Sequence, residues 1–368
     1  DSADKDIAGT LTLDGLTVAG NVSVDGGTIK LDGNYPTGTN NVALGDTALD
    51  SVQSGGDNNV AIGHNAGTAV TTGTRNVLLG GLAGDALTDA DRNIAIGYNS
   101  IGADINGSKA VGIGYGTLQS QNYSTATDGY NVAVGYATGG SITTGIENTL
   151  IGGAAGDSLT DADNNVAVGF LALSSDTLGS KSVAIGNLAL FTQNFTTATD
   201  TGNVAVGYLA GTSVTTGTNN VLIGTESGDA ITDGNTNVAV GSRSLTTNQR
   251  GDKNVAVGHK SLENMNPSGD ADTFNTAVGY FAGNDVTTGT GNTLIGGLAG
   301  DALVASADNV AVGYLSLSTE TGGQNNVAVG RSALENQVNS SGNIYNTAVG
   351  AKAGQSVTTA TDNTLIGG

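Results

Sequence analysis

Cysteine and tryptophan are absent from the 368 residues, and there are only two prolines and one methionine. Without cysteine there is no disulfide staple, no zinc ribbon and no thiol nucleophile. Basic residues are also scarce: 12 Lys and Arg stand against 33 Asp and Glu, a net charge of −21. So acidic a surface repels phosphates and anionic headgroups, which argues against nucleic acid as a partner. No apolar run approaches the ~18–20 residues of a membrane span, and no basic-plus-apolar leader opens the chain, so membrane insertion is not expected. No Gly-x-Ser-x-Gly elbow, Walker loop or His-Glu-x-x-His occurs. The two histidines, His64 and His259, sit far apart in the repeat described below, and no enzymatic activity is expected. The chain begins at Asp1 and stops inside a repeat, at Leu365-Ile366-Gly367-Gly368, so it reads as a piece of a longer protein.

What is abundant is glycine, 60 residues. Collagen is excluded because glycine is not every third residue and proline is nearly missing. Periodicity then decides between disorder and a repeat array. A five-residue phrase, Asn-Val-Ala-Val-Gly with small variations, starts at Asn41 and returns nineteen times, last at Asn363. Asn holds the first place in seventeen copies, with Ala110 and Ser182 the exceptions, and the closing Gly never changes. Most copies are 17 residues apart, but about every fourth interval stretches to 21, so the full unit is a block of about 72 residues.

Alternation over five residues is the period of a short strand. A 17-residue repeat without a 3.6-residue apolar pattern fits one coil of a parallel β-solenoid, in which each phrase pairs in register with the next about 4.8 Å away. The expected fold is therefore all-β: a solenoid over residues 40–368, a rod of roughly 90 Å. Residues 1–39 lack the phrase, and their short alternating stretches (Leu11-Thr12-Leu13, Val22-Ser23-Val24, Ile29-Lys30-Leu31) predict a β-rich shaft or neck. Val and Ile at the second and fourth places are expected to fill the coil, leaving the Ala of the third place facing outward. A column of Ala suits contact between chains in a cyclic trimer. The places where it becomes Leu (Leu78, Leu150, Leu222, Leu294 and Leu365) would then plug the trimer axis.

Asn59-Val60-Ala61-Ile62-Gly63-His64-Asn65-Ala66-Gly67 and Ser182-Val183-Ala184-Ile185-Gly186 resemble the head repeats of bacterial trimeric autotransporter adhesins. Val70-Thr71-Thr72-Gly73 and Asn148-Thr149-Leu150-Ile151-Gly152 are similar to repeat regions of bacteriophage tail fibres, and Leu13-Asp14-Gly15-Leu16-Thr17-Val18 to their shaft segments. The resemblance covers about nine-tenths of the chain and implies a left-handed β-roll wound into a homotrimer. Autotransporter heads usually repeat at a shorter interval, and the longer spacing of this chain favours the fibre side. The implied function is a structural and adhesive segment of a trimeric phage tail fibre in the virion, supporting or making attachment to a host cell-surface receptor such as a glycan. Its other partners would be further tail or baseplate proteins. The alternatives are the head of a bacterial surface adhesin and an extracellular structural filament.

Three further patterns bear on ligands. Aspartates recur near one corner (Asp85, Asp89, Asp91; Asp157, Asp161, Asp163; Asp229, Asp233; Asp301, Asp308), where calcium competes with ordinary turn chemistry and turn chemistry is preferred; no cofactor is expected. Thr pairs such as Thr71-Thr72 recur only once per block, which argues against an ice-binding plane. Aromatic residues gather just after the closing Gly and in the 21-residue coils. Of these, Tyr123, Tyr130, Phe191, Phe195 and Phe274, on the bulges, are the candidate receptor contacts.

Overall fold

A computed structural model describes residues 38–368, and the shaft expected over residues 1–39 lies almost wholly outside the described residues. Each phrase forms a three-residue strand, from Val42–Leu44 to Thr364–Ile366. The nineteen strands join into one parallel sheet. Pairing is in register, as in Val60↔Val77, Ala61↔Leu78 and Ile62↔Leu79, so every coil stacks like on like. Among the described residues there is no helix. Two-residue strands add short second sheets where the coil is longest: Gly107–Ser108 with Thr127–Asp128, Gly179–Ser180 with Thr199–Asp200, and Gly251–Asp252 with Ala271–Asp272. The chain is thus a parallel β-solenoid, as its periodicity predicts.

The strand faces are reversed from expectation. Ala61, Ala95 and Ala133 are fully buried, while Val and Ile of the second and fourth places are only half-buried or exposed. The reason is space. So short a coil encloses too narrow a lumen for two branched side chains per strand, and the inward place of the strand therefore takes small residues and one leucine per block. Leu78, Leu150, Leu222 and Leu294 are fully buried inside their own chain, and Leu365 packs partly buried against the same core. They therefore cannot line a trimer axis.

Around each of these leucines the corners are glycine. A Cβ on Gly67 or Gly84 would stand 2.5 or 2.7 Å from the methyl groups of Leu78. Corners that do not face one of these leucines carry a large residue instead, as with Ile101, Leu118, Leu173 and Leu190, all fully buried. Large and small residues exchange places between strand and corner, and the lumen stays filled at close to constant volume.

The first place of the phrase is interior too. Asn76 donates its backbone N–H and its Nδ2 to Oδ1 of Asn59, at 2.9 and 3.1 Å, and Nδ2 also donates to the carbonyl of Ala90 at 2.7 Å. Asn93 repeats the backbone contact on Asn76 at 2.9 Å. A column of buried amides thus runs along the rod, each satisfying the next. It is interrupted at Ala110 and Ser182, each of which opens a 21-residue coil, and there buried glutamines enter: Gln121 Oε1 accepts from Asn131 Nδ2 at 2.9 Å, and Gln193 Nε2 donates to Ser182 Oγ at 2.8 Å.

Glycine does not hold every tight corner. The residue just before every phrase has a left-handed backbone, yet it is Arg75, Arg92, Lys109, Glu147 or another side-chain residue in all but two coils, Gly202 and Gly291. Coil closure imposes the angle and the exposed side chain tolerates it.

Candidate functional surface

Three outward columns run along the rod. The first is the strand face itself. Its fourth-place residues include Ile62, Ile113, Ile151, Ile185, Ile223, Ile295 and Val349, all exposed, and its second-place residues are half-buried except the exposed Thr364 of the last strand. Apart from Thr at some second places, this stripe is aliphatic, and it carries no charge.

The second column follows the closing Gly. Tyr98 stacks on Tyr115 with ring centroids 5.7 Å apart, and Tyr115 on Tyr136 at 5.3 Å, with planes tilted by 15° and 9°. His259 stacks on Tyr280 at 5.6 Å, and Phe281 packs 4.4 Å from Tyr280. In-register coils place these rings one above another.

The third column lies on the long coils. Lys109 Nζ pairs with Asp128 at 2.5 Å, donates to Tyr130 Oη at 2.8 Å and sits 4.9 Å from that ring's centre. Lys253 pairs with Asp272 at 2.6 Å and covers Phe274 at 5.2 Å. Lys181 pairs with Asp200 in the block between, where Gly202 stands in the aromatic's place.

The five candidate receptor contacts divide. Tyr130 and Phe274 are about half exposed, at 49% and 55%, and Phe191 is half-buried. Tyr123 and Phe195 are buried and cannot meet a receptor from where they stand. Tyr123 fills its bulge and donates to the carbonyl of Gly145 at 2.8 Å; burial, then the neighbouring Asp104 charge, pushes its hydroxyl pKa well up. Beneath the bulge, Asp104 Oδ1 accepts from the N–H of Gly107 at 2.9 Å, and Oδ2 accepts from Gln121 Nε2 at 2.6 Å. Asp176 and Glu320 do the same one and three blocks on, with Gln193 and Gln337 at 2.6 and 2.8 Å. Buried acids at this spacing are thus bulge anchors, a role that the sequence reading missed. The recurrence of Asp104 one block on as Asp176 was the available signal.

The corner aspartates have two fates. Asp89 Oδ1 accepts from the hydroxyls of Thr71 and Thr72 at 2.8 and 3.0 Å, and Asp91 Oδ1 accepts from the N–H of Thr74 at 2.7 Å; these carboxylates bind one coil to the next. Asp85, Asp157, Asp229 and Asp301, each one block from the next, bury one oxygen apiece without a hydrogen-bond partner. Burial raises the pKa of all four, to about 6 at Asp229 and Asp301. Among the described residues, no three His, Cys, Asp or Glu side chains converge as a metal-binding group. No protein-family model matches the chain, and no curated protein matches it.

Proposed function

We propose that the chain is the rod of a homotrimeric attachment fibre of the phage tail-fibre kind, with the outward Val and Ile stripe, rather than the Ala column, as the surface where three chains meet. One observation carries this reading: an uncharged, largely aliphatic stripe runs through nineteen rungs of an otherwise acidic chain. At about 4.8 Å per rung and about 7 Å across, the stripe covers on the order of 600 Å². Patches that large on a monomer usually mark an interface. Three chains of −21 repel one another everywhere except along such a face, and a shared threefold axis lets each chain cover the stripe of its neighbours. The rod's role is mechanical: it carries an adhesive surface a fixed distance from its base, outside the cell and as part of a virion, without catalysis.

Light scattering on the purified chain tests the assembly, with a particle three times the 36.0 kDa chain mass expected. A monomer would overturn it. Glutamate at Ile151, Ile223 and Ile295 together should yield monomers, because each places a charge on the buried axis. Immunogold labelling of phage particles with antibody against the chain tests the location; label on the tail supports the fibre, and label on bacterial surfaces alone would favour the adhesin.

A further inference from the structure

Most glycines of the rod have a backbone reason. The closing Gly of each phrase has φ between 128° and 148°, and in all copies but the last a Cβ there would run into the next coil's backbone. Three glycines that directly follow a closing Gly have neither reason. Gly81, Gly153 and Gly297 lack the left-handed backbone, and a Cβ on them would meet only ordinary contacts, 3.4 or 3.5 Å from the ring of the next coil. The same column carries Tyr98, Tyr115 and Tyr136 elsewhere, so large side chains fit there.

These three glycines share one setting. Gly81 lies between His64 and Tyr98, Gly153 between Tyr136 and Phe170, and Gly297 between Tyr280 and Tyr314. All six rings are exposed. Tyr98 and Tyr136 have their other faces covered by Tyr115, and Tyr280 by His259, so their open faces look onto the glycine. Each glycine therefore leaves a notch one side chain deep between two rings that are two coil rises apart, roughly 10 Å. A third ring fits that gap at the ~4.5–7 Å centroid spacing of stacked pairs on both sides. Thr225, at the equivalent place between Tyr208 and Ser242, closes the series in the one block that lacks the second ring.

We propose that the notches at Gly81, Gly153 and Gly297 are three sites on one edge of the rod that each sandwich a six-membered sugar ring of a neutral polysaccharide. A puckered pyranose is thick enough to touch both walls and offers apolar C–H faces to the rings, while its hydroxyls stay in water. Neutrality follows from charge: a chain of −21 repels acidic polysaccharides and nucleic acid. The notches lie four and eight coils apart, about 19 and 38 Å, so one long glycan can occupy several and bind by avidity. Each notch is built within a single chain, so the inference does not rest on the trimer.

The test is titration of the full chain with maltohexaose, cellohexaose and mannohexaose at millimolar concentration. Upfield ring-current shifts of sugar protons would report stacking, and calorimetry the affinity. The triple variant Gly81→Tyr, Gly153→Tyr, Gly297→Tyr fills the notches without removing a ring. It should keep the particle mass and thermal stability and weaken binding at least tenfold, whereas Thr225→Tyr should leave binding unchanged. No binding of any of the three sugars to the native chain, or equal binding to the filled variant, overturns the proposal. A change of particle mass on filling overturns it too, since the notches would then hold a neighbouring chain; a native monomer that still binds sugar would refute the trimer alone.

Discussion

The Cδ2 methyl of Leu150 stands 2.9 Å from where a Cβ on Gly156 would be, so leucine in the strand and glycine at the corner are two halves of one packing unit. Leu150→Ala should open a cavity and destabilise its block by about 3–5 kcal/mol, and Gly156→Leu alone should overpack it. The double variant Leu150→Ala, Gly156→Leu reproduces the arrangement of Ala167 with Leu173, where leucine already holds a φ of 52°. It should recover most of the loss. A double-mutant cycle read by hydrogen exchange of the surrounding amides checks the coupling.

The amide column predicts position-dependent costs. Asn148→Ala removes the acceptor for the N–H of Asn165 and the donor to the carbonyl of Ala162, at 3.0 and 2.7 Å, inside the rod. Orphaned buried groups of this kind cost about 1–3 kcal/mol each. Asn363→Ala, in the half-buried last coil, should cost far less. Exchange protection of the 165 amide against that of 363 separates the two.

Bulge anchoring yields a graded series. Asn248 stands where Asp104 and Asp176 stand in other blocks, and its Oδ1 still accepts from the N–H of Gly251 at 2.8 Å. Asp104→Asn should therefore keep the turn and lose only the charge-assisted bond to Gln121, whereas Asp104→Ala should free the loop from Gln119 to Tyr130. Limited proteolysis should cut the alanine variant in that loop first.

Acidity should stabilise the rod. The Asp229 and Asp301 pKa values are raised from 3.8 to about 6, chiefly by burial, so the folded state holds protons that the unfolded chain releases. Their contribution is fully present below about pH 4 and is lost as pH rises through 6. Glu320 runs the other way. Its pKa is lowered, although burial alone would raise it, because Gln337, Gly323 and Asn339 all donate to the carboxylate. Its contribution is present above about pH 4.5 and lost as pH falls through its lowered value. Melting temperature should be higher near pH 5 than at pH 7.5, and Asp229→Asn with Asp301→Asn should flatten that difference.

The coil, its length and its block structure were legible because in-register stacking makes each column of the rod a column of like residues in the text. The facing of the strand was not. Alternation tells two faces apart but leaves open which one is inside, and the rule that larger apolar residues go inward fails for Val132 and Val134 around Ala133, where the lumen sets the size limit. The bulge aromatics failed for a related reason: Tyr123 and Tyr130 share composition and neighbourhood, and only the path of the chain over Asp104 buries one and exposes the other. The notch glycines were invisible among 60 until the backbone gave reasons for most of the others.

The partnership of Leu150 with Gly139 and Gly156 recurs one block on, for Leu222 with Gly211 and Gly228. Deleting residues 131–202 would set Asn203 where Asn131 stood, with every leucine still facing its glycines, and shorten the rod by about 19 Å. Deleting the coil of Leu150 alone would instead leave Gly139 facing a gap, and deleting the coil of Gly139 alone would press Leu118 against Leu150. The two coils that share a leucine therefore stand or fall together, and whole-block changes alter the reach of the rod in steps of about 19 Å.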